Sequence, residues 1–172
     1  MTQDEGRFGR VNIPKASWSP MGIRPNVPKQ IARQSFYVYC AVVPSLGKIS
    51  SLILPYGNTD MMNIFLDHVS NDFIENEIIM QVDGAGWHLS KELKIPKNIN
   101  FIKQPPYSPE VNPTEHIWDE IREKNLNNKI FNSIDETMDK VCKGLNKLYN
   151  NQDYVKSLTY FPYLNIIYQN AT

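Results

Sequence analysis

Residues 78–88 read IIMQVDGAGWH. A short apolar run, Ile78 to Val82, meets an acid, Asp83, and then a glycine-containing turn, Gly84-Ala85-Gly86. The simplest structure for such a run is a buried strand that ends where the chain must turn sharply. An acid at the carboxyl end of a buried strand, beside glycines that let a ligand approach, stands where open α/β sheets place their chemistry. From position alone Asp83 has three open roles: solvated, capping the turn, or holding a metal ion.

Working outward from this strand, residues 58–73 begin with the helix cap Asn58-Thr59-Asp60 and carry Met62, Phe65, Leu66, Val69 and Phe73 at helical spacing. Upstream, residues 35–43 (SFYVYCAVV) and 49–54 (ISSLIL) flank the turn Pro44-Ser45-Leu46-Gly47-Lys48, which predicts an antiparallel hairpin. Residues 6–34 hold Pro14, Pro20, Pro25 and Pro28 and are expected to be irregular. Downstream, residues 99–103 (INFIK) predict another strand. One helix opens at Asn112-Pro113-Thr114-Glu115 and a second at Ser133-Ile134-Asp135-Glu136, each with capping chemistry. The order is hairpin, helix, strand, strand, helices. It predicts an α/β fold: a mixed sheet with antiparallel and parallel pairs and helices packed on it. No element is assigned after Tyr149.

Composition sets the outer limits. The chain has 172 residues, 41% of them hydrophobic and 21% charged, which suits one domain with a sizeable core and excludes a disordered charged tail. No apolar run approaches the roughly 20 residues of a membrane span, and no signal peptide is visible at Met1-Thr2-Gln3-Asp4-Glu5. Cys40 and Cys142 share no metal-ligand spacing, so a reducing, cytoplasmic setting is expected and the two side chains are expected to pack. Eighteen basic and eighteen acidic residues cancel, which argues against gripping nucleic acid by bulk charge. The charge is unevenly spread. Residues 1–50 carry seven Lys and Arg against two acids, while residues 51–100 carry three against seven. The basic first third is either a surface for phosphate or a solvated face.

Carboxylates are the natural ligands of the hard divalent ions used in phosphoryl transfer. Besides Asp83, Glu115 is a candidate, with a rival role: three residues after an Asn cap, it could fold back on the cap N–H, and spacing alone favours that. Asp4 proves nothing by itself. His88 and His116 follow acids closely and could orient a carboxylate or touch phosphate; His68 is expected to be structural. Zinc is not supported, because there is neither an i, i+4 His pair nor a Cys partner. Trp87 and Trp118 are expected in the core.

Residues 83–88 (DGAGWH), 105–109 (PPYSP) and 112–124 (NPTEHIWDEIREK) together resemble the catalytic domain of bacterial insertion-sequence transposases. These form the branch related to the mariner elements within the DDE superfamily, whose folds are ribonuclease H-like. Asp4-Glu5 with Arg7-Phe8-Gly9, then Trp18, Pro20, Gly22, Arg24 and Pro25, and Pro55-Tyr56 with Asn58-Thr59, extend the likeness over about residues 3–149. The resemblance implies one catalytic domain spanning residues 1–172, with Asp4, Asp83 and Glu115 as a triad holding Mg²⁺ or Mn²⁺, two ions in all. This overturns the capping preference for Glu115. It implies phosphodiester hydrolysis at element ends followed by transfer of the freed 3′-OH into target DNA. The implied partners are DNA and further copies of the chain, acting at the nucleoid, with no membrane. His88 and His116 become accessory residues. Arg24, Arg7 and Lys15 become candidate DNA contacts, and Tyr107, Ser108 and Pro109 are expected to set the entry of the Glu115 helix.

The pattern departs from the family at its start. No helix-turn-helix segment precedes Asp4, and only three residues do. A truncated first strand is expected, with weakened pairing around it. Two readings remain: a catalytic domain that works with an upstream DNA-binding protein or as a frameshift fusion, and a non-catalytic remnant that binds DNA or dimerises.

Overall fold

The computed structural model describes residues 1–161, apart from Ile13, Tyr107 and the side chain of Leu89. The expected role of Tyr107 therefore lies outside the described residues. Five strands form one mixed sheet: β1 (Thr2–Val11), β2 (Ile31–Val43), β3 (Lys48–Leu54), β4 (Ile78–Val82) and β5 (Ile99–Lys103). Their order across the sheet is β3-β2-β1-β4-β5. The pairs β1/β2 and β2/β3 are antiparallel, and β1/β4 and β4/β5 parallel. Four α-helices follow the chain: α1 (Thr59–Asp72), α2 (Thr114–Ile121), α3 (Ile134–Tyr149) and α4 (Gln152–Thr159).

Side-chain alternation on β2 sends residues to two cores. Phe36, Val38, Cys40 and Val42 join Ile117, Trp118, Ile121, Val141, Leu145 and Val155 beneath α2, α3 and α4. Tyr39 and Ala41 join Met62, Phe65, Leu66 and Val69 of α1, together with Met80 of β4. Tyr39 is fully buried, yet its hydroxyl donates to the Tyr56 carbonyl at 3.1 Å and accepts from Asn58 N–H at 3.2 Å, so no polar group is stranded. Asn58 caps α1 by accepting from Met61 N–H at 2.9 Å. Ser133 caps α3 in the same way, from Glu136 N–H at 3.0 Å, while Glu136 reaches back to Asn132 N–H at 2.8 Å. Cys40 is buried as expected, Cys142 partly so. His68 pairs with Asp72 one turn along α1 at 3.4 Å, the structural role expected of it. Among the described residues no helix is long and apolar enough to cross a membrane.

Strands β4 and β5 occupy the residues expected of them. The segment 6–34 does not stay irregular throughout: residues 6–11 belong to β1 and 31–34 to β2, joined in a ladder that runs from Thr2↔Val42 to Val11↔Ile31. Non-local pairing outweighs the glycines here, and all four prolines fall between the two strands. The short lead-in to Asp4 leaves β1 ten residues long, most of them after Asp4. In the parallel pair β1 meets β4 at the single register position Thr2↔Gln81. There Gln81 N–H donates to the Met1 carbonyl at 2.8 Å, and the terminal ammonium donates to the Ile79 carbonyl at 2.6 Å.

Candidate active site

The central strand β1 carries Asp4 on the face that α2 covers. Gly6 makes the close approach of α2 possible: a Cβ there would stand 2.9 Å from the Trp118 indole and 2.6 Å from the Phe8 ring. Trp118 therefore lies over the strand, and its indole Nε1–H donates to Asp4 Oδ2 at 3.1 Å. Asn112 Nδ2 donates to the same oxygen at 3.0 Å, and Glu5 N–H donates to Oδ1 at 2.7 Å. Burial pushes the Asp4 carboxyl up to about 6; the Trp118 and Glu5 hydrogen bonds oppose the rise, and the charges of Glu115 and Glu5 add to it.

Asp83 follows the last residue of β4. Its Oδ1 accepts from Ala85 N–H at 2.9 Å, which caps the turn, and lies 2.8 Å from His88 Nδ1. The His88 hydrogen bond holds this carboxyl below the usual range against the opposing effect of burial. His88 sits in the short 3₁₀ turn Gly86–Leu89, buried. Its second nitrogen, Nε2, faces Glu5 Oε1 at 3.1 Å. Burial alone would lower the imidazole, but the hydrogen bonds to Asp83 and Glu5 dominate and raise it to about 10. With a carboxylate at each ring nitrogen, His88 is a doubly donating imidazolium.

Glu115 stands in the exposed first turn of α2. Asn112 caps the helix as expected, its Oδ1 accepting from Thr114 N–H at 3.2 Å. Asn112 N–H is itself taken by the Pro109 carbonyl at 3.0 Å, so Glu115 has no cap N–H to answer. Its carboxylate is left for the cleft. Asp4, Asp83 and Glu115 all line one cleft of about 350 Å³, with Gln104, Ser108 and Asn112 on its walls. Gln104 fixes the facing loop through its Nε2–H to the Ser108 carbonyl at 2.9 Å.

Among the described residues no group of three or more His, Cys, Asp or Glu is gathered closely enough to hold an ion as it stands. The donor set nevertheless fits a hard divalent cation: three carboxylates from three elements, two of which raise each other's energy by repulsion. His116 is outside the cleft lining, edge-on to Phe161 with ring centroids 5.0 Å apart. Arg24 is exposed on the loop between β1 and β2, as is Trp18, and Arg7 and Lys15 line a separate groove. Trp118 is in the core as expected and Trp87 is partly buried against the α1 core.

The chain matches the family described as DDE superfamily endonuclease over residues 1–138. It belongs to that family. The chain is 37% identical to the uncharacterized protein y4pE/y4sA of Sinorhizobium fredii (strain NBRC 101917 / NGR234) over 113 residues, 65% of this chain and 84% of that protein. Its fold is similar to that of Mos1 transposase in a paired-end complex with the left transposon end, with TM-score 0.59 and 15% identity over 93% of this chain and 55% of that one. The isolated catalytic domain of Mos1 mariner transposase gives TM-score 0.53 and 13% identity over 93% of this chain and 82% of that domain. The fold is thus the ribonuclease H-like one expected, and the chain spans about half the length of the longer Mos1 chain.

Three participants were not singled out by sequence. Glu5 shows one signal, a second acid directly after Asp4. Trp118 and Asn112 read as core and cap, and their second bonds, both to Asp4, depend on contacts more than 100 positions apart.

Proposed function

We propose that residues 1–172 form the catalytic domain of a DNA transposase in which Asp4, Asp83 and Glu115 hold Mg²⁺ or Mn²⁺. The observation that carries this reading is the placement of those three carboxylates around one cleft in a chain of the DDE endonuclease family. Mos1 complexes with Mn and with Mg share the fold, which supports the choice of ion. The bound ions would supply charge neutralisation around phosphorus and make the attacking oxygen a better nucleophile.

The chain's own residues do the rest. Asn112 and Trp118 fix one Asp4 oxygen, and Gly84 leaves room at the end of β4 for a phosphodiester. His88 holds Asp83 until an ion competes for it. In the first step water attacks phosphorus at the element end. One P–O bond forms, the bond to O3′ breaks, and the departing 3′ oxygen takes a proton. In the second step that 3′-OH attacks a phosphodiester of target DNA, loses its proton, and displaces another 3′ oxygen. No covalent enzyme intermediate is required; the catalysis is positioning and charge stabilisation.

The proposed partners are element ends, target DNA, further copies of this chain, and an upstream helix-turn-helix protein or fusion that reads the terminal repeat. Arg24, Arg7 and Lys15 are proposed DNA contacts, and the site of action is the nucleoid in the cytoplasm. The alternative, a non-catalytic remnant that binds DNA or dimerises, differs in its outcome: it leaves the fused protein unable to cut. The test is cleavage of a terminal-repeat substrate with Mg²⁺ or Mn²⁺ by the fused protein. Asp83→Asn should lower the rate by about 10²–10³-fold, as loss of a charge-stabilising group in such a site does. Equal cutting by both would remove Asp83 from the reaction.

A further inference from the structure

A second concave surface lies further along α2. Arg7 and Arg10 of β1, Lys15 of the loop, and Arg122 and Lys129 beyond the helix line a groove of about 490 Å³, with Asp119 as its one acidic residue. Among the described residues no Lys or Arg forms a salt bridge with a carboxylate, so the groove keeps a net positive charge, five cations against Asp119. Five like charges around one groove repel one another, and a single carboxylate, Asp119, offsets only part of that cost.

The groove is also a built one. Arg10 donates to the Phe131 carbonyl at 3.1 and 2.8 Å, and Gln30 Nε2 donates to the same carbonyl at 2.8 Å. Lys15 is tied at both backbone atoms to the Asn128 side chain, at 3.0 and 3.1 Å. Asn128 itself has φ +54°, a left-handed conformation that asparagine tolerates better than most residues. The Arg122 guanidinium rests on the Phe8 ring, 5.2 Å from its centroid, which fixes its charge in place.

We infer that this groove is a binding site for the phosphate backbone of nucleic acid, holding the strand that enters the catalytic cleft. This rests on the catalytic reading of that cleft. Glu115, Asp119 and Arg122 fall on one helical face, and Arg122 lies about 10 Å along the axis from Glu115. That rise equals about three nucleotide steps of one duplex strand. A scissile phosphate at the carboxylates thus sets the phosphates roughly three nucleotides away against Arg122, with Arg7 and Lys15 lining the same groove. The contacts are to phosphate, so they position the strand and carry no base preference.

The test measures binding of a fluorescently labelled 20-base-pair duplex of arbitrary sequence by the full chain, as a function of salt. Arg7→Gln/Lys15→Gln/Lys129→Gln should lower the slope of log K against log salt by about 2–3. The control Lys91→Gln/Lys94→Gln/Lys97→Gln removes the same charge from exposed positions elsewhere and should leave the slope unchanged. Asp119→Asn should tighten binding severalfold, a gain that misfolding does not produce. Equal slopes in the groove and control variants overturn the proposal, as does displacement of the duplex by poly-glutamate at equal charge concentration, which would mark an acidic polypeptide as the occupant. Should Asp83→Asn cut as well as the parent protein while the groove variants still lose their slope, the catalytic reading fails and the groove stands. Intact metal-dependent cutting with unmoved slopes refutes the groove alone.

Discussion

Asp4 Oδ2 accepts two side-chain N–H bonds, from Asn112 and Trp118. Trp118→Phe keeps an aromatic ring in the core and removes one donor. Loss of a hydrogen bond to a carboxylate raises its pKa, so the acid limb of the cleavage–pH profile should move upward while the fold persists, with a stability loss of about 1–2 kcal/mol in denaturant melts. His88 is bound more strongly still. The folded imidazole titrates near 10 against 6.5 for the free group. The folded state therefore binds more protons between those values, and its stability is full below about 6.5 and lost as pH rises through 10. Thermal melts should show the decline, and His88→Gln should flatten it. Removing His88 also leaves Glu5 buried without its partner, so His88→Ala should cost about 3–5 kcal/mol. A residue reader finds Asp4, Asp83 and Glu115 from chemistry and family pattern. The Glu5–His88 contact joins positions 83 apart, and no local periodicity reports it.

Elements with their own local signals were legible. Strand β4 ends on a charge and a glycine turn, α1 begins on an asparagine cap, and α3 begins on a serine cap, so the boundaries are written beside the elements. Ser133→Ala should cost about 1 kcal/mol in an equilibrium unfolding curve, because the Glu136 N–H loses its acceptor. β1 was less legible because Gly6 and Gly9 weaken its strand signal and its partner arrives 20 or more residues later. The same glycine is what brings α2 close. Gly6→Ala should destabilise the protein by about 1–3 kcal/mol and depress cleavage at the same time, since the added methyl meets the indole that holds Asp4. α4 was not assigned, although Asn151 accepts from Tyr154 N–H at 3.1 Å as its cap. Eight residues carry too little periodicity to stand out from the mixed sequence around them.

For the molecule as a whole, the sheet supplies one rigid plane, and the three carboxylates reach the cleft from β1, from the turn after β4, and from α2. An ion that binds only the folded chain stabilises it by about 2.7 kcal/mol at a hundredfold excess over its Kd. For a chain of this size Mn²⁺ should then raise Tm by about 5–10 °C, and less in Asp83→Asn and Glu115→Gln. An unmoved Tm in the parent protein would take the ion out of this cleft. The junction of β1 with β4 bears on how a longer polypeptide could be assembled around this core. The two strands run parallel and touch at Thr2↔Gln81, with the terminal amine already bonded to Ile79. Residues joined ahead of Met1 would prolong the ladder toward Ile78, away from the end of β4 where Asp83 sits. A reader module spliced there would hang from the far rim of the sheet, and its tether would have to travel around the body before meeting the DNA that the acids cut.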